Sequence, residues 1–311
     1  VRTMTGPTGT ATAHGRRRGT SARRGAPPRG GRHDAPVRKT AARLLMYLSL
    51  VLACAVVVVP LAAVLLTSLR TAGEMAASEN PLAAPGDWFN LDNYRIAFTD
   101  GQMPQALWNT AFILFFSLLG TVLVGSMTAY AVDRFQFRFK RVVMALFLVA
   151  ALVPGVTTQV ATYQVVNGLG VMDTHWAPIL LYMGTDIVSI YIFLQFIRSI
   201  PTSLDEAARL DGATSLTIYW RVIMPLLRPA IATVVIVKGV AIYNDFYIPF
   251  LYMPSEGLGT ISTSLFRFKG PYGAHWEVIS AGAALVILPS LIVFLALQRF
   301  IYSGLVSGAT K

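Results

Sequence analysis

Six long runs of apolar residues, separated by polar or charged stretches, dominate the chain. Leu44–Ser68 carries no charge between Arg43 and Arg70, and Ala106–Val132 none before Asp133. Val142–Val166 is clear from Arg141 to Asp173, whereas Trp176–Ile197 contains only Asp186. Ala230–Met253 contains Lys238 and Asp245, and Val278–Leu297 is uncharged up to Arg299. Crossing a bilayer as a helix takes about 20 apolar residues, so each run predicts a membrane span. The first run follows basic residues, as a signal peptide would. It is longer than such an apolar region and ends in Leu-Thr-Ser-Leu-Arg without a small-residue cleavage pattern, so a retained helix is expected. Pro154-Gly155 and Pro289 predict kinks in spans three and six. Gly120, Gly125 and Gly282 lack the G-x-x-x-G spacing that specifies helix pairing.

Composition agrees with the pattern. The 311 residues are 54% hydrophobic and 13% charged, about half the charged share of a soluble domain. Eleven of the 26 Lys and Arg residues precede Leu44, in a Gly/Pro/Ser/Thr-rich tail containing Arg16-Arg17-Arg18, Arg23-Arg24 and Arg38-Lys39. Such a segment buries too little apolar surface to offset its ordering entropy, so residues 1–43 read as a disordered basic tail. It reads as a positive-inside anchor, ahead of nucleic-acid binding. The further positive charges recur in alternate loops: Arg134, Arg138, Lys140 and Arg141, then Arg198, Arg209, Arg221 and Arg228, then Arg299 and Lys311. The opposite loops carry only Arg70, Arg95, Arg267 and Lys269, beside Glu74, Glu79, Asp87, Asp92 and Asp100. Both termini are therefore expected in the cytoplasm. A single cysteine, Cys54, excludes a disulfide framework.

The loop from Arg198 to Pro229 has its own internal logic. Pro201 is expected to stop the preceding helix. Ser203-Leu204-Asp205-Glu206 has the spacing of a capping box. A short helix would run to about Asp211, with Gly212 in the left-handed position that closes it. Leu216, Tyr219, Trp220 and Ile223 then follow at i, i+3, i+4 and i+7, predicting one apolar face before Pro225 terminates the second helix. The expected product is a helix–glycine–helix elbow with a small, charged tip.

That tip reads Glu206-Ala207-Ala208, three residues, Gly212, nine residues, then Val222-Ile223-Met224-Pro225. Here the chain resembles the binding-protein-dependent ABC importer permeases, whose hallmark is EAA, three residues, Gly, nine residues and I-x-L-P. Val222 and Met224 replace the consensus Ile and Leu. Asn90-Leu91-Asp92-Asn93-Tyr94, Leu107-Trp108-Asn109-Thr110 and Asn244-Asp245-Phe246 look like the carbohydrate-uptake branch. The ending Gln298-Arg299-Phe300-Ile301, Gly304-Leu305-Val306 and Gly308-Ala309-Thr310-Lys311 is similar to the maltose-type second permease subunit.

The resemblance implies an all-α membrane fold of the type I importer permease, with six transmembrane helices over 44–303 and a cytoplasmic tail over 304–311. It makes the loop at 198–229 a coupling helix that docks on a separate ATPase through Glu206, Ala207, Ala208, Asp211, Gly212 and Pro225. It further implies a homologous permease as partner in a heterodimer, two ATPase copies carrying ATP and Mg, and an extracellular solute-binding protein held as a lipoprotein. The chain itself is expected to bind no cofactor, metal or nucleic acid and to catalyse nothing. The residues agree on one point: there is no G-x-x-x-x-G-K-[ST] loop, and His14, His33, His175 and His275 form no metal-binding pair.

A proton-coupled secondary transporter is the competing class, since it too needs several spans and polar groups at midplane. Asp186, Lys238 and Asp245 are the intramembrane charges to inspect; Lys238 and Asp245, seven apart, would share a helix face. Tyr243, Asn244, Asp245 and Tyr247 are candidate pathway residues, with rings and polar groups suited to sugars. Their alternative is the ordinary aromatic belt at a span end.

Overall fold

The computed structural model describes residues 34–309 except 79, 185 and 271–272, with side chains over 43–292 and at 295–296. The arginine clusters up to Arg38-Lys39, Glu79, Arg299 and the side chains of the closing Gly304–Lys311 stretch lie outside these. The chain divides into two compact units, Val1–Val57 and Val58–Lys311, and the three hydrophobic clusters lie in the second.

The helices in chain order are α1 (Asp34–Ser68), α2 (Ala72–Ala77), α3 (Asp92–Thr99), α4 (Met103–Arg134), α5 (Lys140–Leu152), α6 (Gln159–Gly168), α7 (Trp176–Gly184) and α8 (Ile187–Ser199). There follow α9 (Ser203–Leu210), α10 (Ser215–Ile218), α11 (Met224–Leu226), α12 (Arg228–Asn244), α13 (Tyr247–Tyr252), α14 (Ile261–Ser264) and α15 (Trp276–Ala309). A two-stranded antiparallel ribbon, β1 (Lys269–Gly270) and β2 (Gly273–Ala274), pairs Lys269 with Ala274. Among the described residues the fold is all-α but for this ribbon.

Helices occupy each of the six apolar runs, though few are straight. Among the described residues two helices are long and apolar enough to cross unbroken, Arg43–Ser68 within α1 and Met103–Arg134. Span three bends by 97° between α5 and the turn beginning at Gly155, at the expected Pro154-Gly155 kink. Span four breaks by 44° between α7 and α8. Trp276–Ile292, at the start of α15, is a shorter apolar helix within the sixth run. Span five is shorter than its apolar run suggests: α12 stops at Asn244, not Met253, because Asp245 leaves the helical conformation (ψ 117°) and its carboxylate, one residue before the Phe246 N-cap, accepts the first N–H groups of a new helix, α13.

The largest core cluster joins α4, α8, the 198–229 loop and α12 through Ala129, Phe193, Ile197, Ile218, Ile223, Leu227 and Val234. Glycines allow the helices to approach. A β-carbon on Gly120 would fall 2.9 Å from that of Met183, and one on Gly125 3.3 Å from the Phe193 ring. Small residues thus set the α4 contacts with α7 and α8 without the G-x-x-x-G spacing.

On the expected outer side, polar side chains staple the loops. Arg70, 2% exposed, donates from Nη1 to the Asn80 carbonyl at 3.0 Å and from Nη2 to those of Glu74 and Ser78. Thr71 and Glu74 form a capping box at α2. Glu74 also accepts from Gly86 N–H, and these backbone donors hold its carboxyl below the usual range. Asn109 in α4 is fully buried and binds the carbonyls of Gly257 and Gly259 while its oxygen meets His175 Nε2 at 3.0 Å. Asn93 donates to the carbonyls of Ser68 and Arg70, and Thr110 accepts from Ile261 N–H. The polar motif residues around Asn90 and Asn109 thereby satisfy backbone groups that the loop would otherwise leave unpaired.

Candidate functional site: the elbow and the break in span five

The first half of the elbow is α9. Its expected capping box is absent. Ser203 already lies inside the helix, Thr202 holds the N-cap position without a side-chain bond, and Glu206 points outward. The first turn is closed instead by backbone bonds, Leu204 N–H to the Pro201 carbonyl and Glu206 N–H to that of Thr202. At the other end Gly212 adopts φ +81°, and its N–H binds the Arg209 carbonyl while Ala213 N–H binds that of Ala208. These paired bonds are the Schellman closure expected of a left-handed glycine.

The second half departs further from the expected pattern. The side-chain cap belongs to Thr214, whose Oγ1 accepts from Thr217 N–H at 3.3 Å. Residues Tyr219–Ile223 form a π-helical turn, with Met224 N–H bonded to the Tyr219 carbonyl. The wider turn inserts one residue and rotates the faces. Ile218, Tyr219, Ile223 and Leu227 are buried, whereas Leu216 and Trp220, expected on the same stripe, are 59% and 47% exposed. Pro225 does not end the helix. It sits in the first turn of α11, and the chain turns by 72° only around Leu227, before α12. A widened turn accommodates a residue that has no N–H to give.

Most of α9 faces solvent: Glu206 and Ala207 are exposed, Ala208 half-buried, Asp211 and Gly212 exposed. Leu210 is 90% exposed at the tip, an apolar residue that the spacing of the motif does not single out. Asp205 is the one buried residue of α9. Its Oδ2 lies 2.6 Å from Nε of Arg134, the last residue of α4, with side chains 4% and 5% exposed. Arg134 also reaches Asp133 Oδ2 and the Ile200 carbonyl, both at 2.8 Å. Two further contacts tie the elbow to α4: Tyr130 hydroxyl to the Ser215 carbonyl, and Ser126 with the Tyr219 hydroxyl at 2.7 Å.

The second group of candidates surrounds the end of α12. Tyr243 donates its hydroxyl to the Val286 carbonyl of α15. Asp245 accepts from Tyr247 N–H and Ile248 N–H through Oδ1 and from the Tyr182 hydroxyl through Oδ2 at 2.9 Å. Its own carbonyl accepts from Ser262. Tyr243 and Asp245 are thus committed to holding helices together, while Asn244 and Tyr247 are exposed. Lys238 does not share Asp245's surroundings. It pairs with Asp186 at the break in span four, Nζ to Oδ1 3.5 Å, across spans rather than along one. The helix end at Asn244 removes the shared face assumed from their spacing.

The fold and the elbow define a class. Residues 121–306 match the family described as binding-protein-dependent transport system inner membrane component, and the chain belongs to that family. It is 30% identical over 276 residues to the melibiose/raffinose/stachyose import permease protein MelC of Bacillus subtilis, covering 88% of this chain and 98% of that protein. It is 31% identical to the galactooligosaccharides transport system permease protein GanQ of the same organism, covering 89% of this chain and 99% of the relative. A crystal structure of a bacterial ABC transporter that imports the acidic polysaccharide alginate superposes with TM-score 0.70 over 88% of this chain, at 20% identity. The fold is shared at that level. The chain is a multi-pass membrane component of an ABC importer.

Proposed function

We propose that this chain is one half of the translocation pathway of an ATP-driven carbohydrate importer, with α9 as the surface that engages the ATPase. The carrying observation is the elbow. A solvent-facing helix displays Glu206, Ala207, Ala208 and Leu210, is reversed at Gly212, and is braced on α4 from behind. Two alanines let a partner surface approach closely, the carboxylate offers a charge to a basic group, and Leu210 fits an apolar recess. The similarity to permeases for melibiose, raffinose, stachyose and galactooligosaccharides supports a saccharide as substrate. In this reading the bacterial plasma membrane holds the chain with both termini in the cytoplasm. A homologous permease supplies the other half, two ATPase copies carry ATP and Mg, and an extracellular solute-binding protein, held as a lipoprotein, delivers the sugar. Asn244 and Tyr247 face the pathway, framed by Tyr243 and Asp245.

The test uses the assembled complex in proteoliposomes. Glu206→Ala removes one charged contact without altering the backbone, a loss of about 1–3 kcal/mol. Gly212→Val forces a β-branched residue into a left-handed conformation, costing about 1–2 kcal/mol or more. Both variants are expected at parental membrane levels, with less ATPase co-purified and binding-protein-stimulated ATP hydrolysis reduced. Parental values for both would sink the coupling reading.

A further inference from the structure

We propose that Arg134 and Asp205 form the mechanical joint through which displacement of the elbow reaches α4, as a pair of positioning residues distinct from the docking surface. The inference rests on the coupling reading above and names the contact that carries the motion onward.

A helix held to its neighbours by apolar packing can slide, because dispersion contacts have no direction. The buried anchor of α9 is a charge instead, Asp205 at 3% exposed. A buried carboxylate requires its counterion at a fixed place, since separating the two leaves both charges uncompensated in low dielectric. The counterion is equally constrained. One guanidinium meets Asp205 of α9, Asp133 of α4 and the Ile200 carbonyl that ends α8. Three elements converge on one rigid, planar group. Helix polarity favours the arrangement, with Arg134 in the last turn of α4 and Asp205 in the first turn of α9. The remaining rungs, Tyr130 to Ser215 and Ser126 to Tyr219, join α4 to the second half of the elbow, not to α9.

Two features fit a joint better than a static brace. Arg134 Nε lies within ion-pair distance of Asp205 but does not direct a hydrogen bond at it, and Asp205 Oδ1 is buried without a hydrogen-bond partner. On the other side, α4 runs unbroken from Arg134 to Met103 and near its far end carries Asn109, which holds the 257–259 segment and His175. A push at Arg134 acts on a continuous 32-residue lever.

The decisive measurement separates docking from transmission. In complexes with Cys54→Ser and Tyr247→Cys, an impermeant maleimide reports the exposure of position 247 in ADP and in ATP with vanadate. Asp205→Asn and Arg134→Lys are expected to retain the ATPase and its hydrolysis, while the nucleotide-dependent change in labelling falls about fivefold or more. The double variant Arg134→Met/Asp205→Leu, which removes both charges, should behave likewise and covers the case of a poorly folding single variant. A parental labelling change in these variants overturns the joint. Loss of membrane accumulation in all three marks the pair as purely structural and also overturns it. If Glu206→Ala and Gly212→Val disturb the ATPase while the joint variants behave as the parent, only the joint fails. If all variants behave as the parent, the coupling reading fails with it.

Discussion

Gly212 and Asp245 show how differently two residues can be tied to their surroundings. No heavy atom lies within 4 Å of a β-carbon built on Gly212, so its constraint is backbone geometry alone. A local constraint of that kind is readable from spacing, since only a left-handed closure places glycine just past a helix end. Asp245 is the opposite case. Its identity is fixed by partners on α13 and α7, the Tyr247 and Ile248 N–H groups and the Tyr182 hydroxyl, none of which its sequence neighbourhood reveals as a set. An Asn side-chain oxygen can accept the same two N–H groups at this helix start, and Ala cannot. Asp245→Asn should therefore retain the melting temperature of the detergent-solubilised complex. Asp245→Ala should destabilise it by about 1–2 kcal/mol. Equal melting temperatures for all three would remove the capping role and return Asp245 to the pathway candidates.

At the scale of elements, periodicity located the helices and misplaced some of their faces. The stripe through Leu216, Tyr219, Trp220 and Ile223 assumed a constant turn, and the π-helical turn at Tyr219–Ile223 broke that assumption. Likewise the apolar run of span five continued past Asn244, yet the helix did not, because Asp245 found better partners as a cap. Helix contacts obey a steric rule that does not depend on a motif. At Gly120 the β-carbon of any other residue meets the fixed β-carbon of Met183 and its sulfur. Gly120→Leu should separate α4 from α7 and lower membrane accumulation. Gly239→Ala, in α12, where the nearest atom is a Leu118 methyl at 3.7 Å, should be tolerated. Quantitative immunoblotting of membranes decides between these outcomes, and equal levels would show that α4 and α7 can repack.

For the whole molecule, orientation remains a matter of charge. The elbow loop and its companions hold the basic residues, and the loops stapled by Arg70 and Asn109 hold Glu74, Asp87, Asp92 and Asp100. In the proposed reading, positive-inside bias puts the elbow in the cytoplasm. Alkaline phosphatase, active only outside the cytoplasm, should be silent when fused after Lys311 and active when inserted near Asn80. The reverse pattern would invert the topology and place α9 out of reach of any ATPase.

Sequence alone determined the six apolar runs, the position of the elbow and the glycine that reverses it. Each of these depends on composition within a window or on one residue's backbone freedom, so each is local. Tertiary structure decided which face of the elbow is buried, where span five ends, and which charges meet. Asp205 stands next to Glu206 in a run of ordinary helix formers, and nothing in that run separates the exposed carboxylate from the buried one. Arg134 lies 71 positions upstream, and Asp186 is likewise far from Lys238 in sequence. A buried charge selects its counterion by proximity after the helices have packed, and packing depends on shapes that the order of residues leaves implicit.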